Sequence, residues 1–370
     1  MRFIDLPAQQ QRIRANIESR IKKVLDHGQY IMGPEVAELE KGLAAYTGAK
    51  YAIACASGTD ALLMALMAYD VKPGDAIITT AFTFIATAEV VSLLGATPVF
   101  VDIDRKTYNI DPALIPAAID KAKKAGLRPR GIIPVDLFGL PADFEALTAI
   151  ARQHQLFILD DACQGFGGMY TGKRIGGLGD ICATSFFPAK PLGCYGDGGA
   201  VFTNDGRLAD IMASIRIHGK GTDQYDNIRI GINGRLDTIQ CAILLEKLAI
   251  FEEEIVKRQD VAAAYTERLK GAVTTPHIPQ GMRSAWAQYS ILHDRRDAII
   301  AALKAEGIPA MVYYPKPLHL QTAFAGLGYK QGELPVCEAV SKKVFSLPMH
   351  PYLATDDIDY IATAVVKAAK

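Results

Sequence analysis

An α/β fold is predicted for this chain, with a mostly parallel central sheet, helices on both faces and a smaller C-terminal α/β domain. Three observations predict it. From about residue 51, short apolar runs alternate with helix-length segments, a pattern that calls for parallel strands joined by crossover helices. Several of these runs are apolar throughout, as strands covered on both faces require. The chain has 370 residues, more than the roughly 250–300 at which a single core stops growing, so a large domain plus a smaller one is expected.

Taken in order, Ile13, Ile17, Ile21 and Val24 recur at helical spacing and predict a helix over 11–27. Strands are predicted at 51–54, 76–79, 97–101, 131–135, 157–159 and 200–203. Residues 236–269 contain neither Pro nor Gly and read as one long helix, straight or bent. It leads from a large domain, 1–250, into a small one, 251–370. The small domain is predicted to hold a strand at 289–292, a helix at 297–306 and then the segment 308–314. Its last helix begins near Thr355-Asp356-Asp357, whose oxygens and negative charge suit a helix N-terminus.

Lys+Arg and Asp+Glu number 40 each, so the net charge is +0. That balance argues against a nucleic-acid or anionic-membrane partner, which needs a basic excess. An anionic ligand must then be held locally, by a few groups in a pocket. The six cysteines, Cys55, Cys163, Cys182, Cys194, Cys241 and Cys337, contain no C-x-x-C pair and read as reduced, buried thiols rather than a metal site. The first residues lack an apolar signal core, and no run of roughly 18 apolar residues is present. The expectation is a soluble, cytoplasmic protein.

Three constellations carry chemistry. Ser57-Gly58-Thr59-Asp60-Ala61-Leu62 follows a strand and opens a helix; such a junction offers free backbone N–H groups and hydroxyls to a phosphate, or simply caps a helix. Leu159-Asp160-Asp161-Ala162-Cys163-Gln164 puts carboxylates at the end of an apolar strand, where open α/β sheets bind ligands. A carboxylate there suits a metal, a ribose hydroxyl, a protonated pyridine nitrogen, or the cap of the next helix. Thr184-Ser185-Phe186-Phe187-Pro188-Ala189-Lys190-Pro191-Leu192-Gly193 sets a lysine among apolar and small residues. Desolvation lowers a lysine pKa, which a Schiff-base amine needs; a surface lysine in a loop is the plain alternative. A phosphate cup, an acid for a pyridine nitrogen and an amine for an aldehyde together make a pyridoxal phosphate site.

At these residues the chain resembles the DegT/DnrJ/EryC1/StrS sugar aminotransferases, fold type I pyridoxal phosphate enzymes. The resemblance runs nearly end to end. It includes Tyr30-Ile31-Met32-Gly33-Pro34-Glu35, Thr83-Phe84-Ile85-Ala86-Thr87, Asp102-Ile103-Asp104 and Ser346-Leu347-Pro348-Met349-His350-Pro351. It implies that Lys190 is the Schiff-base lysine and proton shuttle and that Asp161 keeps the pyridine nitrogen protonated. By the same resemblance Gln164 lies beside the ring's phenolic oxygen, Phe84 stacks on the pyridine, and Ser57, Gly58, Thr59 and Ser185 surround the phosphate. Asn233, in Gly231-Ile232-Asn233-Gly234-Arg235, matches a residue given to the neighbouring subunit's phosphate, which implies a homodimer with shared active sites. The implied chemistry is ping-pong: L-glutamate leaves as 2-oxoglutarate, pyridoxamine 5'-phosphate is the intermediate form, and a nucleotide-linked keto sugar receives the nitrogen.

The Phe187–Gly193 stretch and Asn227-Ile228-Arg229-Ile230-Gly231-Ile232-Asn233 most resemble the family's UDP-2-acetamido-2-deoxy-3-oxo-glucuronate aminotransferases, which act at carbon 3 and serve lipopolysaccharide O-antigen synthesis. A carbon-4 or dTDP-linked sugar is the alternative. A uronate carboxylate suits a bidentate cation, for which Arg235 is the choice unless it forms an intersubunit ion pair. Tyr314 and His319 are the other expected sugar contacts. Tyr313 and Asp136 stand where relatives often carry His, and each change is expected to bear on the sugar pocket. Family dehydratases replace the lysine by His, so Lys190 speaks against that reaction. Intact Asp161, Gln164 and Lys190 speak against a non-catalytic regulatory protein. No G-x-G-x-x-G follows the first strand, which argues against a nicotinamide dehydrogenase.

Overall fold

The computed structural model describes residues 1–223 and 225–370. Two helices come first, α1 (Leu6–His27) and α2 (Pro34–Thr47). Asp5 starts α1 by accepting from the Ala8 amide, and Gly28 ends it with a left-handed φ of 70°. Ile13, Ile17 and Val24 form its buried stripe, so the predicted helix is present and begins five residues earlier, at Leu6 rather than 11.

Five strands follow, β1 (Tyr51–Cys55), β2 (Asp75–Thr80), β3 (Thr97–Val101), β4 (Arg128–Ile133) and β5 (Phe157–Asp161). Between them run α3 (Gly58–Ala68), α4 (Ala86–Leu93), α5 (Ile115–Lys124) and α6 (Phe144–His154). The two-residue strands β6 (Met169–Tyr170) and β7 (Lys173–Arg174) leave the sheet; β8 (Ile181–Ser185) and β9 (Gly199–Thr203) rejoin it. The seven-stranded order is β1-β9-β8-β5-β4-β2-β3. β3, β2, β4, β5 and β8 pair parallel, while β9 runs antiparallel to both β8 and β1. Sequence periodicity missed β8, because Ile-Cys-Ala-Thr-Ser carries a single bulky apolar residue.

Side chains alternate between two apolar layers, as a sheet requires. Ile77, Ile133, Leu159 and Val201 pack with α3, α4 and α7 (Gly206–Ile215). Ile78, Ile132, Ile158 and Phe202 pack with α2, α5, α6 and the first half of α8 (Thr238–Leu269). The second half of α8 belongs to another core: Val261, Tyr265 and Leu269 pack with Tyr289, Ile299, Phe345 and Ile361. That core is built by β11 (Tyr289–Leu292), α9 (Arg296–Ala305), β12 (Val344–Leu347) and α11 (Thr355–Ala369), after a short β10 (Met282–Arg283) that pairs with β6. The change of core falls between Ile255 and Val261, a few residues after 250. The segment 308–314 forms only an isolated bridge, Met311 to Ser346; the partner of β11 is β12. No helix among the described residues is long and apolar enough to cross a membrane.

A fourth apolar cluster joins the two cores, with Phe82, Phe100 and Phe138 against Leu318, Phe324 and Val340. A polar tie reinforces it. The buried Asp102, just past β3, accepts from the amides of Val336 (2.7 Å) and Cys337 (2.8 Å). These amides open α10 (Pro335–Lys343), whose own N-cap residue, Leu334, supplies no side-chain bond. A large-domain carboxylate therefore caps a small-domain helix. Asp102→Ala should cost about 2 kcal/mol, the loss of a charged cap with two donors left unsatisfied. Circular dichroism should show the thermal midpoint falling by a few degrees, and Asp102→Asn, which keeps an acceptor, should lose less.

Candidate active site

The site forms where β5 and β8 end. Their parallel register sets Asp161 opposite Ala183, at the carboxyl edge where open α/β sheets present ligand sites. Asp161 is buried, and its carboxylate accepts from the Thr87 hydroxyl (2.7 Å) and the Cys163 amide (3.2 Å). Thr87 lies in the first turn of α4 and meets Thr83 at 3.0 Å. Two donors from different elements thus hold the carboxylate in one orientation.

Lys190 sits in the loop between β8 and β9. The Phe186 amide donates to Gly198 (2.7 Å), the Cys194 amide to Phe186 (2.8 Å) and the Lys190 amide to Phe187 (2.8 Å), so the loop closes on itself. Gly193 permits this closure: a Cβ there would lie 2.5 Å from the Pro188 carbonyl oxygen. Lys190 Nζ has no hydrogen-bond partner among the described residues, and burial pulls its pKa below the ordinary 10.5, with Cys163 and Asp161 opposing. Its amine is free more often than that of a surface lysine.

Across from it, Ser57 caps α3, accepting from the Asp60 amide (3.0 Å) and donating to the Asp60 carboxylate (2.8 Å). Helix geometry leaves the Gly58 and Thr59 N–H groups without intrahelical partners. Gly58 is tightly enclosed: a Cβ would lie 2.7 Å from Ser185 Cβ and 2.8 Å from Cys163 Sγ. The helix start, the end of β8 and the loop after β5 therefore touch at one point. The Ala56 amide donates to the Gly234 carbonyl at 3.0 Å, which brings the segment 233–235 beside the helix start.

The remaining expected residues divide. Gln164 is buried, accepts from the Phe138 amide (2.9 Å) and donates to the Tyr314 hydroxyl (3.2 Å). Burial and the nearby Asp161 push the Tyr314 phenol upward. The Phe84 ring, 55% exposed, lies 6.5 Å from that of Tyr314. Asn233 is exposed and Arg235 half-buried, with Nε enclosed and without a partner among the described residues. His319 is placed otherwise than the sequence suggested. Its side chain is wholly enclosed, with Nε2 3.1 Å from Glu338, so no atom is left to meet a sugar. Asp136, expected to alter the sugar pocket, is also fully buried; it accepts from the Ala142 amide (2.8 Å) and lies against Gly165.

Sequence reasoning gave no role to Thr87 or Cys163. Both lie within motifs it used, Thr87 three residues after Phe84 and Cys163 two after Asp161. Neither residue type stands out until the fold brings it to a carboxylate. The amine of Lys190, the fixed carboxylate of Asp161 and the first-turn amides behind Gly58 fit pyridoxal phosphate: an aldehyde, a pyridine nitrogen and a phosphate.

The profile of the DegT/DnrJ/EryC1/StrS aminotransferase family matches residues 11–366. A Pseudomonas aeruginosa protein named UDP-2-acetamido-2-deoxy-3-oxo-D-glucuronate aminotransferase is 52% identical over 364 residues, 98% of this chain and 99% of that protein. The crystal structure of a DegT DnrJ EryC1 StrS aminotransferase from Brucella abortus superposes with a TM-score of 0.96 at 55% identity, covering 99% and 98% of the two chains. A Bacillus subtilis structure described as having bound pyridoxamine phosphate gives a TM-score of 0.89 at 29% identity, covering 99% and 83%.

The lowered Lys190 pKa has a direct chemical readout. In protein stripped of cofactor, the pH at which Lys190 acylates at half its maximal rate should lie below 10.5, measured by peptide mass spectrometry across a pH series. Asp161→Asn removes a charge that raises this pKa, so the half-point should move lower still. A half-point at or above 10.5 in the native chain contradicts the assignment.

Proposed function

Because this chain belongs to the DegT/DnrJ/EryC1/StrS aminotransferase family, we propose that it aminates carbon 3 of UDP-2-acetamido-2-deoxy-3-oxo-glucuronate with L-glutamate, releasing 2-oxoglutarate. The product class is a diamino-uronate for lipopolysaccharide O-antigen. The enzyme is a pyridoxal-phosphate-dependent aminotransferase of nucleotide sugars.

Bound pyridoxal phosphate supplies an aldehyde carbon and an electron-withdrawing pyridine ring. The amides of Gly58 and Thr59 and the Ser185 hydroxyl would hold its phosphate at the positive end of α3. The Asp161 carboxylate, fixed by Thr87 and the Cys163 amide, keeps a proton on the ring nitrogen. Gln164, aimed at the Tyr314 hydroxyl, would meet the cofactor's phenolic oxygen, and Phe84 would stack on its ring. Lys190 takes a proton at Nζ from the amino donor's α-carbon and returns one in the sugar half of the cycle. A lysine of ordinary pKa is too often protonated to do so.

The observation that supports the uronate assignment is the place of Arg235, a half-buried arginine that follows Gly234, whose carbonyl accepts from the Ala56 amide at the start of α3. A guanidinium there would take a substrate carboxylate bidentately through its terminal nitrogens. Tyr314 forms the adjoining wall. The proposed partner is a second copy of this chain. Phe84, Phe187, Ile228 and Ile230 are exposed apolar groups that such a copy would cover, and the exposed Asn233 would reach the neighbouring phosphate.

The native protein should show a visible absorbance band that L-glutamate shifts, with no such band from Lys190→Ala. The UDP-3-keto-uronate should be aminated in preference to the corresponding neutral UDP-3-keto sugar. Arg235→Ala should raise KM for the uronate about ten- to a hundredfold, the loss of a charged hydrogen bond, with the glutamate half-reaction little changed. Amination of the neutral sugar, or of carbon 4, at equal efficiency would overturn the substrate assignment. An unchanged spectrum with every amino donor would point to a regulatory cofactor-binding protein.

A further inference from the structure

Lys247 is a charged residue in the middle of the large-domain core. It lies on α8 between Leu244 and Phe251, both buried in that core, and is itself 1% exposed. Among the described residues no carboxylate pairs with it within 4.0 Å. Its electrostatic neighbours are Glu254, one heptad on, and Cys194. Glu254 is already engaged by the Gln9 amide (2.7 Å) and the Tyr352 hydroxyl. Burial lowers the Lys247 pKa to about 8, which leaves the amine charged at pH 7. A buried ammonium without a counter-ion is costly to keep, so what it does hold is informative.

Its Nζ donates to the Gly193 carbonyl at 2.6 Å and lies 4.3 Å from the centre of the Tyr195 ring. Both residues belong to the loop that carries Lys190. Gly193 packs against the carbonyls of Phe187 and Pro188 so closely that a Cβ would lie 2.7 Å and 2.5 Å from their oxygens. Fixing its carbonyl therefore fixes the closed shape of residues 187–193. Two α8 turns earlier, Gln240 accepts from the Tyr195 amide at 2.9 Å. α8 itself is anchored in the core through Cys241, Leu244 and Phe251.

We propose that Lys247 is a positioning residue for Lys190, gripping the Gly193 carbonyl and the Tyr195 ring so that the loop presents the Lys190 amine from a rigid helix. The inference rests on the reading of Lys190 as the reactive amine. The bond is charge-assisted and the ring contact is cation–π, so a neutral side chain of the same length replaces neither.

Hydrogen exchange in protein stripped of cofactor tests the grip apart from activity. In Lys247→Met, the amides of Lys190 and Cys194 should exchange about ten- to a hundredfold faster than in the native chain, the scale of a lost charged hydrogen bond. The amides of β5 should be unchanged. Lys247→Arg, which keeps a charged donor, should restore part of the protection. In the loaded enzyme Lys247→Met should lower kcat while KM for L-glutamate stays within about twofold, because the grip acts on the lysine and not on substrate binding. Native exchange at both amides in a folded Lys247→Met protein overturns the proposal. Should that variant fail to fold, Lys247→Gln, which lacks the charge and the reach, is read by the same criterion. Absence of a glutamate half-reaction in the native chain defeats the functional reading instead, and the exchange comparison stands without it.

Discussion

The parallel pairing of Phe157–Asp161 with Ile181–Ser185 is the constraint on which the site depends. With Asp161 opposite Ala183, the carboxylate and the start of the Lys190 loop emerge at the same sheet edge. The other parts then fall within reach. Gly58 can touch Ser185 and Cys163 only because those strands end together and α3 starts against them. Since a strand's side chains alternate faces, a one-residue slip in this register would turn Asp161 into the core and bring Asp160 out.

That alternation also explains the polar interior behind the site. Asp160 is fully buried, and neither of its carboxyl oxygens has a partner among the described residues. Burial pushes both Asp136 and Asp160 well above the usual carboxylate range; Asp161 raises each of them further, and Asp136 also raises Asp160. A buried carboxyl near other carboxyls is harder to ionise, and both lie behind Asp161. The same logic separates the buried cations. Lys247 and Arg258 are held by backbone carbonyls, Gly193 for the first and Trp286 and Met349 for the second. Carbonyl dipoles compensate a charge without creating an ion pair, and each of these bonds fixes a loop to α8.

Much of this was legible in the sequence because it is local. The Pro- and Gly-free run of α8, the acidic end of β5 and the apolar and small residues around Lys190 are statements about neighbours along the chain. β8 was not legible, since Cys182, Ala183 and Thr184 have little of the bulk by which a strand is recognised. Nor was the enclosure of His319 and Asp136, because burial there depends on α10 and on Gly165, which meet them only in three dimensions. Lys247 did carry a signal: it occupies a core position of an amphipathic helix, where a charge is out of place. Its partner, 54 residues earlier, could not be read from that pattern. The resemblance to sugar aminotransferases identified the chemistry by motif, and it placed no side chain.

The two domains divide the work along the line of α8. Asp161, Lys190 and the α3 start all come from the large domain, whose sheet is covered by apolar side chains on both faces. Tyr314 comes from the small domain and enters the site through one hydrogen bond, from Gln164. Gln164 is held in turn by the Phe138 amide, and Phe138 belongs to the apolar cluster that joins the domains, facing the segment capped by Asp102. The contacts that orient Tyr314 are therefore those that hold the domains together. A change in how the small domain seats would move Tyr314 while leaving Asp161 and Lys190 in place, since neither depends on a small-domain contact for its orientation. The seating of the small domain and the geometry of Asp161 and Lys190 are thus set by separate contacts.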